Sequence, residues 1–308
     1  MNIFVCGSLA YDRIMDFPGK FSDHIMPDKT HMLNVSFTVT SMVERPGGTA
    51  GNIAYAIALL GEKPTILATI GNDCQRYFEW LARHGISTEG ILIVEDEFTA
   101  SAYITTDQAD NQITAFNPGA MKRPSRYDLS KADPTDSICI IAAGNLEDMV
   151  SYRDTCLARG IPFIFDPAQS LPIWDGKALA RCIEGARVLI SNDYELALIQ
   201  KQTGLNKGQL LERARAVITT RGEHGSVVST RDGEVTVPAL QAARLVDPTG
   251  AGDAYRGGLI KGLIEGKDLV TCARMGTVCA SYAVEVQGTQ TYTFTMDQFN
   301  VRCRDAFR

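Results

Sequence analysis

Histidine is scarce in this chain and its cysteines are unpaired. Only four histidines occur among 308 residues, at positions 24, 31, 84 and 224, and none of the eight cysteines sits in a Cys-x-x-Cys pair. No spacing suits a zinc site. Cys6, Cys139 and Cys279 lie within apolar runs and read as small buried hydrophobes of a reduced, cytoplasmic protein rather than a secreted disulfide framework. Basic residues are not in excess either. Thirty Lys and Arg against 36 Asp and Glu leave a net charge of −6, which offers no electrostatic footprint for nucleic acid or an anionic membrane. No run approaches the roughly 18 apolar residues a bilayer span requires, and the start, Met1 to Gly7, lacks the basic region of a signal peptide. The patterns GxxxxGK[ST], GxSxG and HExxH are absent, which excludes a Walker-type phosphate loop, a hydrolase nucleophile elbow and a zincin helix.

What remains is ordinary globular material, 45% hydrophobic and 21% charged, long enough for a large core. Apolar runs without alternation at residues 3–6, 64–70, 137–143, 162–165, 188–191 and 216–220 read as strands. Helical patterns at about 50–60, 74–83, 146–159 and 194–202 separate them. Strands of that kind between helices predict an α/β protein with a doubly wound, mostly parallel sheet covered on both faces. Two regions break the rhythm. In residues 32–43, Leu33, Val35, Phe37 and Val39 alternate with polar residues, the period of a sheet with one wet face. Residues 100–105 and 112–116 flank a turn-rich stretch and read as a hairpin. Together they predict a small β-sheet lid over the core; edge strands of the main sheet are the competing reading.

The most informative segment is Asp247-Pro248-Thr249-Gly250-Ala251-Gly252-Asp253, running into a helix. Small residues leave backbone N–H groups facing outward, and the helix adds its positive end, so the turn is an anion site. A carboxylate there repels an anion unless it has a task, such as taking a proton from an attacking hydroxyl; it also serves as an ordinary helix-end charge. Gly250-Ala251-Gly252 has Tyr255 where a dinucleotide fingerprint needs its third glycine, and it lies late in the chain.

Other stretches are ambiguous singly. Gly47-Gly48-Thr49-Ala50-Gly51-Asn52 opens the first helix with room for a ligand near the backbone, or is a plain turn. Asp12, beyond the first strand, suits a pair of vicinal hydroxyls, or is a solvated loop acid. Asn192 and Glu195 have the spacing of a capping box, with water-mediated Mg²⁺ organisation as the alternative. Thr220-Arg221-Gly222-Glu223-His224-Gly225 wraps phosphates or turns into a hairpin at Asp232-Gly233.

Taken in order, Gly47-Gly48 with Asn52, Asn192 with Glu195, Thr220-Arg221-Gly222 and Asp247 to Asp253 resemble the motifs of the ribokinase (PfkB) family of carbohydrate and nucleoside kinases, over nearly the whole chain. The segments Asn111 to Phe116, Phe165-Asp166-Pro167-Ala168-Gln169 and Gly252 to Gly258 are most similar to its prokaryotic nucleoside (adenosine) kinases. The resemblance implies one ribokinase-like unit over 1–308, with core 1–10, 45–92 and 121–308 and lid insertions 11–44 and 93–120. It implies ATP-dependent phosphorylation of a nucleoside at its 5′-hydroxyl, with a sugar kinase as the alternative and a non-catalytic nucleoside sensor as a third reading. Asp253 would be the base, and the amides of Gly250, Ala251 and Gly252 the oxyanion donors. Asp12, Gly47, Gly48, Asn52 and Gln112 would hold the nucleoside. Asn192, Thr220, Gly222, Gly225, Ala280, Ala283, Val284 and Gly288 would hold ATP, with Mg²⁺ arranged by Glu195 through water. The resemblance allows a monovalent cation such as K⁺ at Asp247 and Thr249. It also allows a homodimer through the lid, with no role for nucleic acid or membrane.

Overall fold

The computed structural model describes residues 1–25, 32 and 34–307. Its main sheet begins with β1 (Asn2–Cys6), which is flanked by β4 (Pro64–Gly71) and β5 (Ile91–Val94) on one side. On the other side follow β8 (Ser137–Ala142), β9 (Phe163–Asp166), β10 (Val188–Asn192) and β11 (Val217–Thr220). These seven are parallel, and the antiparallel hairpin β12 (Ser226–Thr230) and β13 (Gly233–Val237) completes an order of β13-β12-β11-β10-β9-β8-β1-β4-β5. The chain leaves β1 toward one edge and returns on its far side at β8. A crevice therefore opens beyond the carboxyl ends of β1 and β8, where open α/β sheets bind ligands.

β8 is buried at every position, as expected for a strand covered on both faces. One apolar layer packs the side of the sheet that carries α1 (Thr49–Leu59), α2 (Gln75–Arg83), α7 (Ala251–Ile264) and α8 (Leu269–Ala283). The other packs α3 (Leu146–Arg159), α4 (Gly176–Ile183), α5 (Asp193–Thr203) and α6 (Lys207–Arg213). A third cluster seats α9 (Met296–Ala306) through Phe299. Burying each large aliphatic or aromatic side chain in these layers contributes roughly 1.5–3 kcal/mol. α7 approaches α1 closely because Gly257 has no Cβ; one built there would overlap Ala56.

A second sheet of four strands stands apart, in the order β3-β2-β6-β7. It joins β2 (Ala10–Asp16), β3 (Ser41–Gly47), β6 (Ala100–Thr106) and β7 (Gln112–Asn117). The hairpin β6–β7 is the one expected from sequence. The strand expected over 32–43 is not formed as such. His31 and Leu33 lie outside the described residues, and residues 34–39 carry no ladder. β2 ends at Asp16, before Phe17-Pro18-Gly19, so its pairing with β3 stops at Asp16↔Ser41 and leaves the preceding residues without a partner strand. The period of two survives as burial: Val35, Phe37 and Val39 are half-buried between exposed neighbours. Phe37 packs on Phe17, Phe21 and His24. No helix among the described residues is long and apolar enough to cross a membrane.

Candidate active site

The helices α1 and α7 both point their N-termini into the crevice beyond β1 and β8. Ser8 follows β1 and is tied to the first residue of α1: the Ser8 amide donates to Thr49 Oγ1 at 3.1 Å, and the Thr49 amide to Ser8 Oγ at 3.1 Å. Thr49 Oγ1 in turn donates to the Ala143 carbonyl after β8 at 2.6 Å. Two strand ends and one helix start are thus locked together. The N-cap of α7 is Gly250, whose φ of +77° is left-handed and whose Cβ position is already occupied by Thr289; only glycine fits there. Two helix N-termini facing one space favour an anion between them.

The space is a cavity of about 560 Å³ whose lining includes Ser8, Asp12, Gly48, Asn52, Gly250 and Asp253. Gln169, Ser170 and Ile173 after β9 form one side, with Phe116 and Met121 from the small sheet and the turn that follows it. A wider, shallower hollow of about 700 Å³ between Tyr282 and α9 contains none of the motif residues.

Asp253 lies in the first turn of α7, and its Oδ2 accepts from Asn52 Nδ2 at 2.8 Å. Burial pushes its carboxyl up to about 7; Arg256 and the Asn52 hydrogen bond act the other way, and Asp166 and Glu195 add to the rise. A carboxyl poised near neutrality inside a cavity fits a general base. Arg256, one turn on, is buried and grips Asp166 with Nε to Oδ2 at 2.6 Å and Nη2 to Oδ1 at 2.8 Å.

Asp12 sits on β2, where the small sheet meets the crevice. Burial lifts it to about 6, opposed by Arg45 and assisted by Asp247. Gly47 on β3 pairs with Ala10 and lies diagonally across from Asp12, and a Cβ at Gly47 would overlap the Asp12 carboxylate. Arg45 Nη1 donates to the Gln287 carbonyl at 2.8 Å, linking the small sheet to the turn before Gly288.

Of the remaining motif residues Thr249 lines this cavity, whereas Asn192, Glu195, Thr220, Gly222, Gly225, Asp247, Val284 and Gly288 do not. Asn192 and Glu195 form a complete capping box on α5, with Glu195 Oε2 accepting from the Asn192 amide at 2.8 Å and Asn192 Oδ1 from the Glu195 amide at 2.7 Å. Burial raises the Glu195 carboxyl, and its Oε1 has no protein partner among the described residues. Thr220 ends β11, and Gly222 and Gly225 bound the single turn that follows. Asp247 accepts from the Thr249 amide at 2.9 Å and the Gly288 amide at 2.9 Å, which lowers its carboxyl. Val284 ends α8, and its carbonyl accepts from Val246 at 2.8 Å.

Two expected positions lie away from this cavity. Gln112 lies outside the cavity: the register of β7 pairs it with Thr106 at the far end of the hairpin, its amide donates to Thr106 Oγ1 at 3.4 Å, and Phe116 stands over the crevice instead. Ala283 is 1% exposed and packs in the core cluster beneath α9; Ala280, one turn earlier in α8, is half-buried. The sequence reading missed Gln290, which is 2% exposed and donates to Asn52 Oδ1 at 2.9 Å, and the pairing of Asp166 with Arg256. An acid in the Phe165 to Gln169 segment and a base three residues after Asp253 were visible, but nothing in the spacing joined them.

Known proteins resemble this chain in sequence and fold. The chain is 33% identical over 267 residues to the nucleoside kinase of Methanocaldococcus jannaschii, covering 86% of this chain and 87% of that protein. It is similar to the structure of Burkholderia thailandensis nucleoside kinase in complex with inosine, with a TM-score of 0.87 and 40% identity over 99% of this chain and 98% of that one. The same enzyme in complex with ADP-inosine aligns with a TM-score of 0.85 and 42% identity over 99% of this chain and 96% of that one. Residues 10–295 match the description "pfkB family carbohydrate kinase", and on that match and the relative above the chain belongs to the pfkB family of carbohydrate kinases.

Proposed function

We propose that this kinase transfers the γ-phosphoryl group of ATP to the 5′-hydroxyl of a nucleoside, giving the nucleoside monophosphate and ADP. The observation that carries this reading is Asp253, held by Asn52 at the meeting of two helix N-termini, in one cavity with Asp12. Asp12 accepts from the vicinal hydroxyls of the ribose, with Gly47, Gly48 and Asn52 around it. Asp253 takes the proton of the 5′-hydroxyl as its oxygen attacks phosphorus. The amides of Gly250, Ala251 and Gly252 meet the charge that develops on the transferring oxygens; one well-aimed donor of this kind is worth about 2.7–4 kcal/mol. Positioning and electrostatics of this sort are most of what phosphoryl transfer asks of a protein.

A nucleoside suits the cavity better than a free sugar. Phe116, Met121 and Ile173 give it an apolar side that a small polyol has no use for, and the relatives in M. jannaschii and B. thailandensis are nucleoside kinases. Adenosine, inosine and cytidine are the candidates. Thr220, Gly222, Gly225, Ala280, Val284 and Gly288 border the ATP side. Among the described residues no three His, Cys, Asp or Glu side chains gather as a metal cage. This suits Mg²⁺, which keeps its waters and takes few carboxylates, and Glu195 Oε1 with Asn192 would steady that hydrated ion. When bound, Mg²⁺ neutralises phosphate charge. Asp247 already accepts two amides and feels Arg45, so K⁺ there would be a weak activator. The small sheet acts as the lid, through segments 11–44 and 93–120, and exposed Met42, Val43 and Ile113 on it offer a homodimer contact.

The test is ADP release from ATP with adenosine, inosine, cytidine, ribose and fructose offered separately. Release with a nucleoside and not with the sugars is expected. Release with ribose or fructose alone makes it a sugar kinase, and tight nucleoside binding without release makes it a sensor.

A further inference from the structure

We propose that Gln290 and Trp80 are positioning residues for the transfer step: they decide which end of the Asn52 amide faces Asp253, and so which carboxylate oxygen is left to take the proton. This rests on Asp253 being the base. The argument is one of donors and acceptors. An indole N–H can only donate, and Trp80 Nε1 donates to Gln290 Oε1 at 2.8 Å. Tyr77 spends its hydroxyl proton on the Gly47 carbonyl at 2.7 Å, so its oxygen is left to accept from Gln290 Nε2 at 3.4 Å. Both ends of the Gln290 amide are therefore fixed from outside. Gln290 Nε2 then donates to Asn52 Oδ1 at 2.9 Å, which makes that atom an acceptor and turns Asn52 Nδ2 toward Asp253 Oδ2, 2.8 Å away. Reversing either amide sets oxygen against oxygen.

Burial keeps water from the middle of the series: Gln290 is 2% exposed, Asn52 6% and Tyr77 0%. The series crosses the fold, from α2 through the segment after α8 to α1 and then α7. It leaves Oδ1 of Asp253 with no protein partner among the described residues, free for the substrate hydroxyl. The charged and titratable groups that act on Asp253 from its surroundings are Arg256 on α7, Asp166 on β9, Glu195 on α5 and Tyr292 beyond α8. None of them takes part in the series.

The discriminating variant is Gln290→Glu. The new carboxylate accepts from Trp80 but has no proton for Asn52 Oδ1, so Asn52 turns over and presents its oxygen to Asp253. Asp253 then keeps its proton to higher pH. The acid limb of kcat should move up by about one pH unit or more, with kcat near pH 7 down about tenfold and KM for ATP unchanged. Gln290→Met, which frees Asn52 without reversing it, should lower kcat less. Trp80→Phe, which unpins one end of Gln290, should do the same. Carbon-13 NMR titration of the Asp253 carboxyl reads the same shift without turnover. If Gln290→Glu does not fold, Gln290→Met and Trp80→Phe carry the test. The proposal fails if folded variants keep the wild-type acid limb and carboxyl titration, or lose activity only in step with melting temperature. An Asp253→Asn enzyme that keeps more than a tenth of its rate sinks the base assignment instead. Dead Asp253→Asn beside wild-type profiles in the other variants sinks only the positioning series.

Discussion

Asn52 and Asp253 lie 201 residues apart in sequence, yet the first donates to the second at 2.8 Å across the facing first turns of α1 and α7. Neither helix cap would produce that contact alone. It requires the close approach of the two helices at Gly257 and the lock between Ser8 and Thr49 that sets where α1 begins.

Replacing Asp253 by Asn keeps the shape and the acceptor for Asn52 while removing the proposed base. A positioned base is worth about 10²–10⁴-fold, so kcat should fall by that factor while dissociation constants for ATP and nucleoside stay within a few-fold. Steady-state ADP release and equilibrium titration measure the two quantities. A variant with more than a tenth of wild-type turnover would refute the assignment.

The same carboxyl sets a pH dependence in two quantities of opposite sign. Only the ionised form can accept a proton, so kcat/KM of the free enzyme should rise with pH and level off above about 7. Stability runs the other way. A carboxyl whose folded-state pKa is raised stabilises the fold while protonated, and that contribution is lost as pH rises through about 7. Asp253→Asn should therefore melt higher than wild type near pH 8, with the difference shrinking near pH 5. Thermal melts across that range decide it; a constant difference would show that the group is not strained when ionised.

Asp12→Asn should raise KM for the nucleoside about 10–100-fold, the range for losing hydrogen bonds to a charged acceptor at roughly 1.5–3 kcal/mol, and leave KM for ATP alone. The wild type should also prefer ribonucleosides to 2′-deoxynucleosides, and the variant should lose that preference. Equal losses on both sugars would mean that Asp12 shapes the crevice without touching the 2′-hydroxyl.

Arg256→Met leaves Asp166, 1% exposed, with no counter-ion, and breaking a buried pair on one side costs about 3–5 kcal/mol. The double variant Arg256→Met with Asp166→Asn should recover most of that in urea denaturation. The cycle closes the other way, with additive losses, if the two side chains do not depend on each other.

The core strands could be read from the sequence because parallel strands buried on both faces are unbroken apolar runs, as in Ile138 to Ala142. β2 could not. It carries Asp12 and Arg13 in succession, and its burial fades along the strand instead of alternating; Arg13 is held by Glu44 on β3 at 2.9 Å, a pairing that no local pattern announces. The motif around Asp253 was legible because backbone and side chain act within seven residues. Gln290 was not: it is one amide in Gly288-Thr289-Gln290-Thr291, and its partner Trp80 lies 210 positions earlier. Phe37 and its neighbours show a third case, where the alternation was real but expressed burial against Phe17 and Phe21 rather than strand pairing.

The crevice divides its labour by layer. Its floor is main chain and short side chains anchored in the core, at Ser8, Gly48, Gly144 and Gly250, whereas its upper rim is Phe116, Met121, Gln169 and Ile173, borne on turns and on a hairpin. On the proposed function, exchanging rim residues would retune which heterocycle is accepted without moving the atoms that make and break bonds to phosphorus, so a change of diet need not cost the enzyme its chemistry.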